Sequence, residues 1–529
     1  MSYTSYSYLL IFLGIVFIAY TAVPKKLKWT VLLIASYVFY WINSGKLVVF
    51  LLAATVSVYF AGIFLNRINA GFDIVKKSLP KDEKKSFKAM LSWQKKAVVA
   101  VTLGFIFGIL LLLKYSPFFI GTVKDFFGLF GLKPHFPKLK FMLPLGISYY
   151  TLQAAGYIID VYRGKYKASE NFGKVALFLC FFPQIVEGPI GRFDLLAEPL
   201  YTGHKFNYEN FTQGIQLIVW GLFKKLIIAD RANILVSEVF GAYTEYSGSI
   251  ILLAGILYTI QIYAEFSGCM DIVTGSAQMF CVPLSKNFER PFFSKSVNEF
   301  WRRWHITLGA WLRDYVFYSV SLSKPFMRLS RFTKEHLNEF LGALVPASFA
   351  LFFTWFGIGF WHGAGIKYIV YGLYYYIIMM LGMYLEPAFA AVFGKLRINR
   401  ESRFFNLLRI LRTTALVIVG MMLFRAASAS EWGGMLARIF TDFEAAELIN
   451  GTALTLGMDI HDFAVIAAGV AVMFVVSVMQ ERGIAVRQYV AAKPLAVRWV
   501  LYFALVLSVV IFGAYGVGYD AVDFIYGQF

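Results

Sequence analysis

Six histidines occur in the 529 residues, and two of them, His305 and His362, each directly follow a tryptophan inside the stretch 298–371. That stretch opens with NEFWRRWHITLGAWLRDYVFYS and closes with FTWFGIGFWHGAGIKYIVYG. Imidazole exchanges its proton near neutral pH, so it is the usual general base wherever a hydroxyl must be activated. At about 100° per residue, Phe300, Trp301, Trp304, Leu308, Trp311, Leu312 and Tyr315 fall on one face, with Arg302, Arg303, Arg313 and Asp314 opposite. The pattern predicts a helix lying in a membrane surface, with His305 at the edge of its apolar stripe. An interfacial histidine bonded to a headgroup or a carbonyl is the plain alternative to a chemical role.

His362 ends an almost uncharged run, 340–361. An ionisable group at such depth is costly unless it faces a partner or a wet cavity. Gly357, Gly359, Gly363 and Gly365 surround it. They would either break the helix around a cavity-facing histidine or serve as small residues at a helix contact. On the residues alone, the general base and the structural histidine both stand.

The elements that must position these histidines are membrane helices. With 59% apolar residues, only 15% charged and a mean hydropathy of +0.64, the chain excludes a soluble domain and a single-anchor protein. The net charge of +19 does not point to nucleic acid, because Lys and Arg lie mainly in loops flanking apolar runs, as membrane topology requires. Cys180, Cys269 and Cys281 have no disulfide or metal spacing, the histidines have no HExxH spacing, and no GxSxG elbow is present. No metal and no tightly bound cofactor is expected.

Twelve spans are expected, near 8–23, 29–41, 47–65, 98–113, 141–159, 214–228, 250–264, 340–361, 368–385, 407–424, 463–479 and 497–514. Lys84 and its neighbours make the loop after the third span cytoplasmic by the positive-inside rule, which puts both termini outside. Lys124, Lys133, Lys138 and Lys140 disagree with that parity, so the count is least secure near 115–140. Between 172 and 190 an apolar run ends in Pro183, Glu187, Gly188 and Pro189, as a re-entrant or interfacial segment would. Glu187 is either a cavity-lining carboxylate or the polar end of that segment.

FWRRWHITLGAWLRDY followed by GFWHGAGIKYIVYGL resembles the membrane-bound O-acyltransferase (MBOAT) family, in its bacterial AlgI/DltB-like branch. LPLGISYYTLQAAGYIIDVYRGKY, FFPQIVEGPIGRF, YAEFSGCMDIVTGSAQMF and LSKNFERPFF agree in order as well as content, so matched motifs cover about 143–371. The resemblance implies one all-α polytopic membrane domain over 1–529, a helical bundle of about twelve transmembrane helices with re-entrant and interfacial pieces. It also implies an O-acyltransferase of the bacterial cytoplasmic membrane with His362 catalytic; the expected topology, with His305 inside and His362 nearer the outside, has His305 shaping the donor side. Acetyl-CoA or another cytosolic thioester would supply the acyl group. A polysaccharide hydroxyl or an SGNH-type partner outside would receive it. D-Alanyl transfer to teichoic acid is the alternative within the family, and a transporter using a midplane histidine is the alternative outside it. The ending FIYGQF is similar to an F-x-Y-x-x-F motif at the C-termini of some family members and of a small partner protein. That likeness implies that Tyr526 carries the acyl group as a phenolic ester. An amphipathic tail resting at the interface is the other reading of these residues.

Overall fold

Gly146 introduces a helix enclosed on nearly all sides, and no other residue type fits where it stands. Its φ is +67°, and a Cβ there would lie 1.8 Å from the Ile185 carbonyl oxygen. The structure is a computed structural model that describes residues 1–75, 80–132, 135–136 and 141–515. Tyr526 and the whole 524–529 motif lie outside the described residues, as do Lys133, Lys138 and Lys140. Among the described residues the chain is helical without a β-sheet, apart from one isolated antiparallel bridge between Phe288 and Trp304.

The first compact unit comprises 1–215 and 273–285. It contains α1 (Leu13–Ala22), α2 (Lys28–Ser44), α3 (Val48–Val75), α4 (Lys81–Leu110), α5 (Ser116–Gly128), α6 (Ile147–Arg163), α7 (Phe172–Cys180) and α8 (Phe193–Thr202). Gly45, at φ +50°, turns the chain between α2 and α3. The run expected near 141–159 is α6, whose residues are buried nearly all round, so it is a helix of the unit's core. After α7 the chain leaves helical geometry in a buried turn. Glu187 sits there at 1% exposure, inside the protein and not at a polar end.

The second unit comprises 216–272 and 286–529. Its helices are the end of α9 (Tyr208–Leu222), α10 (Asp230–Gly241), most of α11 (Gly248–Met279), α12 (Val297–Arg303), α13 (Ile306–Leu312), α14 (Tyr318–Ser321), α15 (Lys324–His336) and α16 (Glu339–His362). They continue with α17 (Ile366–Lys395), α18 (Arg403–Arg425), α19 (Ala429–Thr441), α20 (Ile460–Glu481), α21 (Val486–Ala491) and α22 (Leu495–Phe512). Polar side chains start α16, α18 and α20: Asn338 accepts from Leu341 N at 2.8 Å, Ser402 from Phe405 N at 3.2 Å, and Asp459 forms a capping box with Asp462.

Among the described residues, nine helical segments are long and apolar enough to cross a membrane, and Ser7–Ala22 is a shorter apolar one. The difference from twelve has a plain cause. α2 and α3 follow each other across the Gly45 turn within the single stretch Lys25–Gly71, while α6, with 17 residues, and Ser7–Ala22 are shorter than the nine.

Between α9 and α10 the chain runs through a π-helical segment, Phe223–Ala229, that buries two successive lysines. Lys224 pairs with Asp271 at 2.6 Å and donates to Ser267 at 2.9 Å; Lys225 pairs with Asp230 at 2.8 Å and Glu265 at 3.1 Å. A Cβ on Gly221 would come 2.5 Å from the Gly268 carbonyl oxygen, so the backbones of α9 and α11 touch there and bring the charges within reach. Charges inside a membrane segment persist when they are paired in this way.

Candidate active site

The segment expected as one continuous interfacial helix is broken at its histidine. α12 stops at Arg303, Trp304 is extended, and His305 takes the left-handed conformation at φ +47° and ψ +49° before α13 begins. A non-glycine residue held there costs roughly 1–2 kcal/mol, so neighbouring bonds must impose it. The loop before α12 imposes it. Glu289 N donates to Arg303 O at 2.9 Å and Ile306 N donates to Asn287 O at 3.0 Å, gripping the chain on both sides of the turn. His305 is only 2% exposed, so the amphipathic pattern records burial against protein and not against headgroups.

Asn287 also fixes the protonation of that histidine. Its Oδ1 accepts from Thr307 N at 3.1 Å and Thr307 Oγ1 at 2.9 Å, and its Nδ2 faces Met270 Sδ at 3.3 Å. A backbone N–H can only donate, so the atom it meets is the amide oxygen. The same oxygen lies 3.3 Å from His305 Nδ1, which must therefore carry the hydrogen. Nε2 then presents a lone pair. Burial pushes the His305 imidazole down to about 3, so it is neutral at physiological pH.

His362 is the last residue of α16, 3% exposed, and Gly363 after it is extended. Gly357 and Gly359 lie within an unbroken helix, which favours the helix-contact reading of these glycines. A Cβ on Gly359 would stand 2.3 Å from the Tyr368 carbonyl oxygen, and one on Gly372 2.3 Å from that of Trp355. α16 and α17 therefore pack backbone to backbone just below His362.

Aromatic rings bring the two histidines together. The Trp361 ring is 5.6 Å from the His305 ring and 5.0 Å from the His362 ring, and the Phe266 ring stands edge-on to His305 at 4.9 Å. Phe424 and Tyr371 stand edge-on to His362 at 5.2 and 5.7 Å. Such a setting holds an imidazole in one orientation within an apolar, water-poor surround. Among the described residues no group of three or more His, Cys, Asp or Glu could hold a metal ion. A neutral imidazole in such a setting keeps one lone pair with which to accept a proton.

The model of the membrane-bound O-acyltransferase family matches residues 169–424, a range that contains both histidines. A protein of Pseudomonas syringae pv. tomato named Probable alginate O-acetylase AlgI is 30% identical over 460 residues, 86% of this chain and 78% of the relative. The chain belongs to the membrane-bound O-acyltransferase family. It is a multi-pass membrane O-acyltransferase of the AlgI/DltB-like branch. The Peptidoglycan O-acetyltransferase of Helicobacter pylori is 30% identical over 289 residues, 49% of this chain and 50% of that one. The Teichoic acid D-alanyltransferase of Bacillus subtilis is 28% identical over 288 residues, 54% of this chain and 69% of that one.

Sequence reasoning assigned no role to Asn287, although LSKNFERPFF was among the motifs it singled out. A loop residue that reaches a turn 18 positions later leaves no periodic signal. Lys224 and Lys225 were read as part of an ordinary span. Their consecutive charges in an apolar run were the available sign of internal pairing.

Proposed function

We propose that this acyltransferase takes an acetyl group from a cytosolic thioester, acetyl-CoA, and delivers it to a hydroxyl on an extracytoplasmic polysaccharide or on an SGNH-type partner. The observation that carries the reading is the burial of His362 at the end of α16, one tryptophan ring away from the neutral His305. His362 accepts the hydroxyl proton as the oxygen attacks the thioester carbonyl. The C–S bond breaks, and the imidazolium returns the proton to the departing thiolate, so no net proton is consumed. His305 shapes the donor side, accepting a hydrogen bond at Nε2 and not giving one. Both termini are extracytoplasmic, in keeping with the basic loops. Tyr526 supplies the first attacking hydroxyl, so that the thiol leaves and a phenolic ester forms. The acceptor hydroxyl then attacks that ester, and His362 takes its proton and returns it to the departing phenolate; a phenol ionises near pH 10 and leaves more readily than a sugar alkoxide.

Acetyl transfer is favoured over D-alanyl transfer because the AlgI relative aligns over 86% of this chain and the D-alanyltransferase over 54%. Protein reconstituted in vesicles and given acetyl-CoA radiolabelled in the acetyl group, with a polysaccharide acceptor, tests the reading. Label in the acceptor supports it. Label that stays on the donor, with transfer only from a D-alanyl carrier thioester, would replace it with the D-alanyl reading.

A further inference from the structure

Within the first unit, α3 and α4 leave an open groove of about 650 Å³ between them. Phe60, Phe64 and Arg67 line it from α3, and their i, i+4, i+7 spacing puts all three on one face. From α4 the shorter side chains of Val98, Val101 and Thr102 line it, so a recess remains beside the two rings. Thr102 turns its hydroxyl to its own helix, donating to Val98 O at 2.8 Å, which leaves the recess apolar. Phe60, Phe64 and Val101 are 63%, 50% and 73% exposed, so the protein itself does not cover this surface.

Both helices belong to segments long and apolar enough to cross a membrane, Lys25–Gly71 and Glu83–Gly128, so hydrocarbon meets the groove. One end of it is polar. Arg67 and Lys96 lie just past the apolar runs 47–65 and 98–113, and Trp93, one turn before the lining residue Ala97, is 71% exposed. Cations and an indole at that depth sit at headgroup level. Among the described residues no acid pairs with Arg67.

Fluid lipid covers any apolar helix face, and exposure alone would say nothing more. Here a recess in the hydrocarbon region ends at an exposed guanidinium, whose planar fork of donors matches the two free oxygens of a phosphodiester. A single molecule with an apolar chain and an anionic head satisfies both ends at once.

We propose that this groove holds one acyl chain of an anionic phospholipid whose phosphate rests on Arg67, with Lys96 adding to the positive field. The bound lipid is a wedge that keeps α3 and α4 at their separation. The inference concerns the first unit and is independent of the chemistry assigned to His362.

Native mass spectrometry tests it on protein equilibrated in detergent with equal amounts of phosphatidylglycerol and phosphatidylcholine of identical chains. The wild type should retain one phosphatidylglycerol in preference to phosphatidylcholine, by roughly fivefold for each cation engaged. Arg67→Met should lower that preference by about fivefold, and Arg67→Lys, which keeps the charge, should preserve it. Val101→Trp places a large ring in the recess at an exposed position, where it does not disturb the core, and should lose the retained lipid whatever its headgroup. Equal retention of the two lipids by the wild type overturns the proposal. So does undiminished retention by folded Val101→Trp protein, or undiminished preference in folded Arg67→Met protein.

Discussion

The indole of Trp361 stands edge-on to the imidazole of His305, ring centroids 5.6 Å apart, and so registers the end of α16 against the turn between α12 and α13. Trp361→Ala should cost about 3–5 kcal/mol as a large-to-small change in a packed site. It should also lower acetyl transfer, because both histidines lose a wall. Trp361→Phe should keep most of both. Thermal denaturation in detergent alongside transfer assays checks this; an alanine variant with unchanged stability and rate would mean that the ring registers nothing.

His305 makes the protein acid-sensitive. Its folded-state pKa is lowered from the ordinary 6.5 to about 3, so the unfolded chain binds the extra proton between those values. The contribution to stability is full above about pH 6.5 and is lost as the pH falls towards about 3, at up to about 1.4 kcal/mol per pH unit. Midpoints of thermal denaturation between pH 7 and 4.5 should fall less steeply in His305→Gln than in the wild type. Parallel curves would contradict the buried neutral imidazole.

Gly359 is a packing requirement. Its Cβ would sit 2.3 Å from a backbone oxygen, which cannot rotate away. Gly359→Ala should force α16 and α17 apart, cost about 1–3 kcal/mol and displace His362 three residues later. Activity should therefore fall further than stability alone explains. Wild-type transfer by this variant would show that α16 tolerates the shift.

Lys225 answers two carboxylates, Asp230 and Glu265, at 1% side-chain exposure. Lys225→Met leaves both without it and should cost about 3–5 kcal/mol, read as loss of monodisperse protein on size exclusion. A normal yield of folded protein would mean that the carboxylates are neutralised in another way.

Much of this was legible in the sequence, for physical reasons that differ by residue. Apolar length exposed the membrane helices, because lipid leaves few other solutions for the backbone. His362 was conspicuous because a rare ionisable residue ended an apolar run. The same periodicity misled at His305: its apolar face is as real as expected, but bonds from Asn287 and Glu289, distant in sequence, break the helix there. Lys367 reaches the Phe424 carbonyl 57 positions further on, a contact between α17 and α18 that leaves no periodic signal. Tyr526 remains a reading of sequence, since it lies outside the described residues.

The central claim is that His362 is the base. Replacing it with alanine in reconstituted vesicles, and measuring transfer of radiolabelled acetyl groups to the acceptor, tests that claim most directly. The variant should insert and fold like the wild type, because one polar side chain does not decide insertion, and should lose transfer almost completely, while His305→Ala loses only part. Product from folded His362→Ala protein at the wild-type rate would contradict the account.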